Sequence, residues 1–391
     1  MVNLFFYYIE RLLYIACLLS VYIYAADARI ETTYSFNAYG SVGLIILFLY
    51  TNLKTKYAFK VFFSLKKYIV LLFGILCHIP NLFVLDIGDS LSHFVLLFLV
   101  YFILIPGTNI KVVDFAVSSV FLNLYILYRS IFDIGIDFSL FAGTTINSNQ
   151  FALVLIGGVI GALYLLIKKN SIVLTVLSIF SLLSSLFLII ISSSRTVMIS
   201  AIFAIFYTLL QYLKMKQFSI SRNLIFAIIL MIVIVFGFSY YMEINKFLFS
   251  KWNVANADTL SGRFKIWTYI WNTVNICGVG HSTINSNNEY LNYYLLYGPL
   301  VFIFYFLLSI WSFLRVKRIM SKGLSPETLY CFLVVCLFTL ISMFENFYSI
   351  FGKSIHVMYW SVVGYLINFT PHHIKIICCK KNNNNGNTEI Y

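Results

Sequence analysis

The stretch QFALVLIGGVIGALYLLI, residues 150–167, contains no charged side chain. Apolar stretches of similar character recur along the whole chain. Four polar residues separate it from a second run, IVLTVLSIFSLLSSLFLIIIS at 172–192, which is apolar over a similar length. A hydrocarbon core of about 30 Å needs roughly 20 apolar residues in helical form. The two runs therefore predict neighbouring membrane-spanning helices.

The composition of the 391 residues excludes an ordinary soluble domain. Hydrophobic residues make up 61% and charged residues 10%, with a mean hydropathy of +0.90, whereas soluble domains carry about 25% charged residues. We predict an all-α, polytopic integral membrane protein. Its twelve expected spans lie at about 6–25, 37–53, 68–85, 92–107, 112–128, 150–167, 172–192, 196–213, 223–240, 298–314, 328–345 and 354–370.

Basic residues are divided unevenly between the two sides of the membrane that these spans define. An even number of spans puts both termini on one side, where eighteen of the 27 Lys and Arg residues fall, against eight on the other. Lys and Arg accumulate in cytoplasmic loops. The sequence therefore predicts cytoplasmic termini, and the net charge of +13 does not require a nucleic-acid partner.

Charged residues close to predicted spans raise separate expectations. Glu10 and Arg11 lie in the first apolar run, where an isolated charge at the bilayer centre costs about 2.5–3.5 kcal/mol on insertion scales. We therefore expect the first span to start nearer Leu12, after an interfacial segment. Three further residues are spaced by four, as local ion pairing on one helical face requires: Arg129, Asp133 and Asp137.

The two halves of the chain differ. A large loop at about 241–297, between spans nine and ten, has no counterpart after span three, which argues against a transporter built from repeated halves. We expect one integral membrane domain over 1–370 and a polar, disordered cytoplasmic tail over 371–391. Of seven cysteines only Cys277 is predicted outside, and no metal-ligand motif occurs, so we expect no outer disulfide framework, metal or cofactor.

Two arginines are predicted to reach the outer surface. Arg195 follows three serines, and a serine N-cap would place it in the first turn of a helix. Arg263 opens a segment, 263–271, whose apolar and aromatic residues recur at helical spacing, as in a helix lying along the membrane. An arginine beside helix amides binds anions well. The alternatives are a snorkelling arginine and an amphipathic helix with incidental charge.

Other polar residues of the large loop extend this candidate site. Lys265 adds positive charge beside Arg263, while His281 and Glu289 are candidate general bases. A lone loop histidine is otherwise simply solvated. Asn288 belongs to a polar segment that either binds sugar hydroxyls or caps the loop itself.

Four elements occur in the order found in the bacterial O-antigen polymerase (Wzy-type) and O-antigen ligase superfamily, which the chain resembles over about residues 145–300. They are Asn147-Ser148-Asn149-Gln150-Phe151-Ala152, Ser192-Ser193-Ser194-Arg195-Thr196, Ser261-Gly262-Arg263-Phe264-Lys265-Ile266-Trp267, and Gly278-Val279-Gly280 through Asn288-Glu289-Tyr290-Leu291 to Gly298.

The resemblance implies a metal-independent glycosyltransferase at the periplasmic face of the bacterial inner membrane. It would join undecaprenyl-diphosphate-linked repeat units, with a chain-length regulator and a flippase as possible partners. Its motifs place Arg195 and Arg263 in the site as catalytic groups and leave the base unidentified, so Glu289 and His281 are taken as catalytic bases by proximity only. Asn147, Asn149, Lys265 and Asn288 are the expected substrate ligands. The arginines would neutralise the diphosphate leaving group.

Particular residues and the pattern of loops distinguish this function from its rivals. The family often has histidine before its Asn-x-x-Leu element, where this chain has Asn287. That histidine is the proposed base of ligases. The resemblance therefore favours a polymerase over a ligase that transfers glycan to lipid A–core. A flippase or other twelve-span transporter predicts pseudo-symmetric halves and short outer loops. A non-catalytic membrane scaffold does not account for clustered outer arginines.

Overall fold

The computed structural model describes residues 2–27, 33–55, 65–83, 91, 94–95, 98–108, 110–136, 141–145, 148–168, 170–192, 194–215, 263–279, 288–344 and 357–368. Within these ranges the chain is almost entirely helical and contains no β-strand. Six of the described helices are long and apolar enough to cross a membrane, and five shorter ones are also apolar. The predicted all-α, polytopic membrane fold is confirmed.

Thirteen α-helices cover most of the described residues. They are α1 Val2–Ala26, α2 Thr33–Thr55, α3 Leu65–His78, α4 Ile105–Gly107, α5 Val112–Tyr128, α6 Ser148–Ile167, α7 Ile172–Ile191, α8 Arg195–Lys214, α9 Arg263–Thr273, α10 Glu289–Tyr297, α11 Pro299–Lys322, α12 Pro326–Ser342 and α13 Val357–Asn368. A 3₁₀ turn, Ile79–Phe83, follows α3, and π-helical turns at Phe98–Leu104 and Arg129–Ile134 precede α4 and follow α5.

Eleven of the twelve predicted spans fall on these helices, and the ninth, 223–240, lies outside the described residues. The predicted end of the tenth span is too early, because α11 continues to Lys322. Arg315, Lys317 and Arg318 were expected in a loop and instead form its last turns. Long basic side chains favour helix and interact well with the negative end of its dipole.

The predicted start of the first span is wrong. α1 is continuous from Val2, and Glu10 and Arg11 are buried within it. The Arg11 guanidinium pairs at 2.6 Å with the Asp114 carboxylate of α5, so each buried charge is compensated by the other. This partner lies 103 residues away, which is why the local pattern did not reveal it.

α6 is the central helix of the bundle. Every residue from Phe151 to Ile167 is buried, and α5, α7, α8 and α12 pack around it. Asn123 of α5 donates through Nδ2 to the Leu155 carbonyl of α6 at 3.2 Å and also bonds to the Ser185 hydroxyl of α7. One buried amide thus joins three helices, a device that membrane bundles use where water is absent.

Hydrogen bonds at the helix ends show which ends lie together. At one end of the bundle, the Thr144 hydroxyl donates to the Ala26 carbonyl at 3.1 Å and the Phe141 amide to the Ile191 carbonyl at 3.4 Å. α6 and α8 begin here, and α1, α7 and α12 finish here. We call it the Arg195 end.

The opposite end, which we call the Lys168 end, is closed by a second set of polar contacts. Lys168 Nζ and the Tyr164 hydroxyl, both near the end of α6, approach Glu327 at the start of α12, at 2.9 and 3.2 Å. α6 and α12 are therefore antiparallel. The pair is about one-third exposed, unlike the buried pair of Arg11 with Asp114.

The difference in burial between these two ion pairs generates a stability prediction. Breaking a buried pair leaves an uncompensated charge and costs about 3–5 kcal/mol, whereas exposed pairs contribute about 0–1 kcal/mol. We expect Arg11→Met to lower the thermal unfolding midpoint of the detergent-solubilised protein clearly more than Lys168→Met. The double variant Arg11→Met/Asp114→Leu should recover part of the loss. Equal shifts for the two single variants would contradict this.

Candidate active site

Arg195 is the first residue of α8, as the run of serines before it predicts. Ser194 occupies the N-cap position, but its side chain makes no capping hydrogen bond, and its buried hydroxyl has no partner among the described residues. Ser171 and Ser325, by contrast, cap α7 and α12 in the usual way. The serine therefore does not close the positive end of the α8 dipole, a place suited to an anion.

Arg263 and Asn288 are drawn together by the C-terminal end of α12. Arg263 Nη1 donates to the Phe344 carbonyl at 2.8 Å, and Asn288 Nδ2 donates to the Met343 carbonyl at 2.8 Å. Met343 and Phe344 directly follow the last turn of α12, where the negative end of the helix dipole attracts donors. Two residues of the predicted site, 25 positions apart in sequence, thus share one anchor.

The register of α8 against α12 places Arg195 at the same level of the bundle. These helices are antiparallel, and the rings of Tyr207 and Phe332 stack with centroids 5.0 Å apart. Arg195 lies twelve residues before Tyr207, and Phe344 lies twelve residues after Phe332. At 1.5 Å per residue, both are about 18 Å from the stacked pair in the same direction. Arg195 and the anchor of Arg263 therefore lie at one level.

A third arginine lies at this end. Arg129 pairs with Asp133, as the spacing of four predicted, and its Nε also donates to Asp27 Oδ2 at 3.3 Å. Asp27 is fully buried and accepts a second bond, 3.0 Å long, from the Tyr125 hydroxyl. The sequence signalled the first pair, but nothing local signals a partner 102 residues away. Asp137 lies outside the described residues.

α9 has the form predicted for a surface helix. It begins at Arg263; Ile270 is buried, while Phe264 and Trp271 remain 63% and 58% exposed. The Trp271 ring stacks on Tyr294 of α10 with centroids 5.0 Å apart. The helix is therefore fixed to α10 through one face of Trp271, and three of its aromatic rings, those of Phe264, Tyr269 and Trp271, are more than half exposed.

The remaining predicted site residues occupy varied positions. Lys265 is exposed on α9, Asn149 lies half-buried in the first turn of α6, and Glu289 is the first residue of α10. His281 and Asn147 lie outside the described residues. Both polar atoms of the Asn288 amide are bonded, because its Oδ1 also caps α10 by accepting from Leu291 N at 3.0 Å. No three His, Cys, Asp or Glu side chains come together as metal ligands in the described ranges.

An all-α bundle of apolar helices defines a polytopic membrane protein, and Arg195, Arg263 and Arg129 lie at one end of it. Residues 179–303, which contain Arg195, Arg263 and Asn288, match the family model described as O-antigen ligase. This match covers about a third of the chain and supports membership of the O-antigen polymerase/ligase superfamily, whose members are membrane glycosyltransferase-like enzymes. No curated protein matches the sequence.

The two-sided bonding of Asn288 predicts how its variants behave. Asn288→Asp keeps an acceptor for the Leu291 amide but loses the donor to the Met343 carbonyl, whereas Asn288→Ala loses both. Loss of an N-cap alone costs about 0.5–2 kcal/mol. We expect the alanine variant to expose the α9–α10 segment to limited proteolysis more than the aspartate variant, at equal protein level. Identical digestion of wild type and both variants would show that the amide holds nothing in place.

Proposed function

We propose that the protein is an O-antigen polymerase, which joins undecaprenyl-diphosphate-linked oligosaccharide units at the periplasmic face of the inner membrane. The observation that supports this best is the placement of Arg195 and Arg263. Both lie within the family-matched segment, and both lie at one level at the same end of the bundle. A chain-length regulator and a flippase are the partners we propose.

The chemistry follows from the charge that the reaction develops. A hydroxyl of one lipid-linked glycan attacks the anomeric carbon of another; the new glycosidic bond forms as the bond from that carbon to the diphosphate oxygen breaks. The electron pair leaves with the diphosphate, whose added negative charge has to be stabilised in the transition state. Guanidinium groups bind phosphate oxygens through paired N–H donors and remain charged. Arg195 and Arg263 are proposed for this role.

The proton of the attacking hydroxyl needs an acceptor at the same end. Glu289 opens α10 directly after Asn288, which is bonded to the α12 terminus beside the anchor of Arg263. This position supports Glu289 as the general base, with His281 as the alternative from the sequence. Lys265, Asn147, Asn149 and Asn288 remain proposed substrate ligands.

The exposed aromatic rings of α9 support a site at the membrane surface. Trp and Tyr side chains concentrate where headgroups meet hydrocarbon, because their rings are amphipathic. Tyr269 and Trp271 are more than half exposed on the helix that Arg263 begins. A lipid-linked substrate has its diphosphate at this same depth, with its tail in the hydrocarbon and its glycan in water.

A ligase is the second candidate, because the matching family model is described as O-antigen ligase. It would use the same lipid-linked donor but a lipid A–core acceptor. Asn287, in place of the histidine that ligases often have, favours the polymerase.

The test is complementation of a deletion strain, with extracted lipopolysaccharide resolved by size. We expect core with a single repeat unit in the deletion strain, a full ladder with wild type, and loss of most of the ladder with Arg195→Ala or Arg263→Ala. Lysine at either position should restore it only in part, because lysine lacks the planar pair of donors. Arg318→Ala, an exposed arginine on the last turns of α11, is the matched control and should behave as wild type.

Other outcomes separate the alternatives. Bare core with polymerised lipid-linked glycan accumulating in the deletion strain would identify a ligase. An unchanged ladder in that strain would reject both enzymes and favour a transporter.

A further inference from the structure

Three segments meet at one buried asparagine that is absent from the predicted site. Asn81 lies in the 3₁₀ turn after α3 and is 4% exposed. With the amide oriented so that its nitrogen faces the neighbouring carbonyls, Nδ2 donates to Cys277 O at 3.0 Å and to Tyr297 O at 2.9 Å. An amide nitrogen carries two hydrogens, so one side chain supplies both bonds. Asn81 thus joins α3 to the turn after α9 and to the end of α10.

The two segments that Asn81 bridges are packed backbone against backbone. Gly278 and Gly298 have φ angles of +76° and +85°. A Cβ atom at Gly278 would lie 2.4 Å from Leu296 O, and one at Gly298 would lie 2.3 Å from Ile276 O. Glycine is therefore required at both positions by conformation and by space. The Val279 amide, bonded to Leu295 O at 2.9 Å, completes the contact.

This junction fixes one end of the helix that begins with Arg263. α9 ends at Thr273, and the bridged turn follows it within a few residues. At its other end, α9 is held by the bond from Arg263 to the Phe344 carbonyl. Together with the stacking of Trp271 on Tyr294, these two end attachments set the direction of α9. The attachment at Asn81 comes from the first third of the chain, which the family match does not cover.

We propose that Asn81 is a positioning residue: its amide clamps the turn at Cys277 to the end of α10 and thereby sets the placement of α9 and Arg263. The clamp itself does not depend on the proposed polymerase function, whereas its effect on glycan synthesis rests on that function.

The clamp is tested with Cys277, whose carbonyl it holds. Full-length wild type and Asn81→Asp, in native membranes accessible from both sides, are treated with a maleimide, and labelling of the peptide containing Cys277 is followed by mass spectrometry. Aspartate has the shape of asparagine but offers only acceptors to two carbonyls. The Cys277 thiol is partly exposed in the folded protein, so only the part of its labelling that needs the turn to open can gain. We expect labelling to become faster by up to about fivefold, the factor that corresponds to one net hydrogen bond in a local opening equilibrium.

Asn275→Asp is the matched control. It makes the same chemical change in the same turn, but Asn275 acts there as an acceptor, from Cys277 N at 3.0 Å, and aspartate keeps that acceptor. Labelling should therefore stay at the wild-type rate. If Asn81→Asp does not accumulate, Gly298→Ala opens the same junction from the other side and should speed labelling equally. Asn81→Ser, with one donor left, should give an intermediate rate.

The positioning role is then tested by the lipopolysaccharide ladder, normalised to the amount of folded protein. We expect Asn81→Asp to shorten or remove the ladder, Asn81→Ser to restore it in part, and Asn275→Asp to leave it intact. Wild-type labelling in Asn81→Asp would overturn the clamp. Faster labelling with a full ladder would overturn the positioning role. If deleting the gene leaves the ladder unchanged, the polymerase function fails, and the labelling still decides the clamp.

Discussion

The hydrocarbon core of a bilayer offers no water, so each polar group of a helix that crosses it has to find its partner in the protein. The arrangement of this bundle follows from that constraint. Within the described core, the Asn123 amide joins α5, α6 and α7, and the Arg11 guanidinium meets the Asp114 carboxylate between α1 and α5. A second ion pair, Asp27 with Arg129, joins the other ends of the same two helices. The two ion pairs are about equally far apart along both helices, and this fixes α1 parallel to α5.

The same constraint explains what gathers at the Arg195 end. A helix that finishes there leaves its last carbonyls without partners, and α12 resolves this by attracting Arg263 and Asn288. The outer segment is thereby attached to the bundle through groups that also belong to the proposed site. Asn81 provides a second attachment from α3. In this protein, the bonds that satisfy these backbone groups also hold residues of the proposed site in place.

The sequence predicted the helical framework well and the partners of its charged residues poorly. Eleven of the segments predicted from hydropathy coincide with described helices, and the predicted boundaries differ from the helix ends where charged residues continue a helix, at Arg11 and in the last turns of α11. Arg195 and Arg263 were expected at helix starts, and both begin helices. The serine before Arg195 signalled the boundary of α8 correctly, but its hydroxyl does not cap the helix. No local pattern in the sequence, by contrast, indicated the partners of Asp27 and Asn81.

What the sequence determined by itself was the class of protein, the helices and the order of its motifs, because apolar run length and capping residues act over only a few positions. What the tertiary structure alone decided was which polar groups meet. Asp27 pairs with Arg129, 102 residues away, and Asn81 donates to carbonyls on two segments in the last third of the chain. Such meetings depend on which helices lie side by side and at what register. That arrangement is set by the packing of the whole bundle, so no local stretch of sequence encodes it.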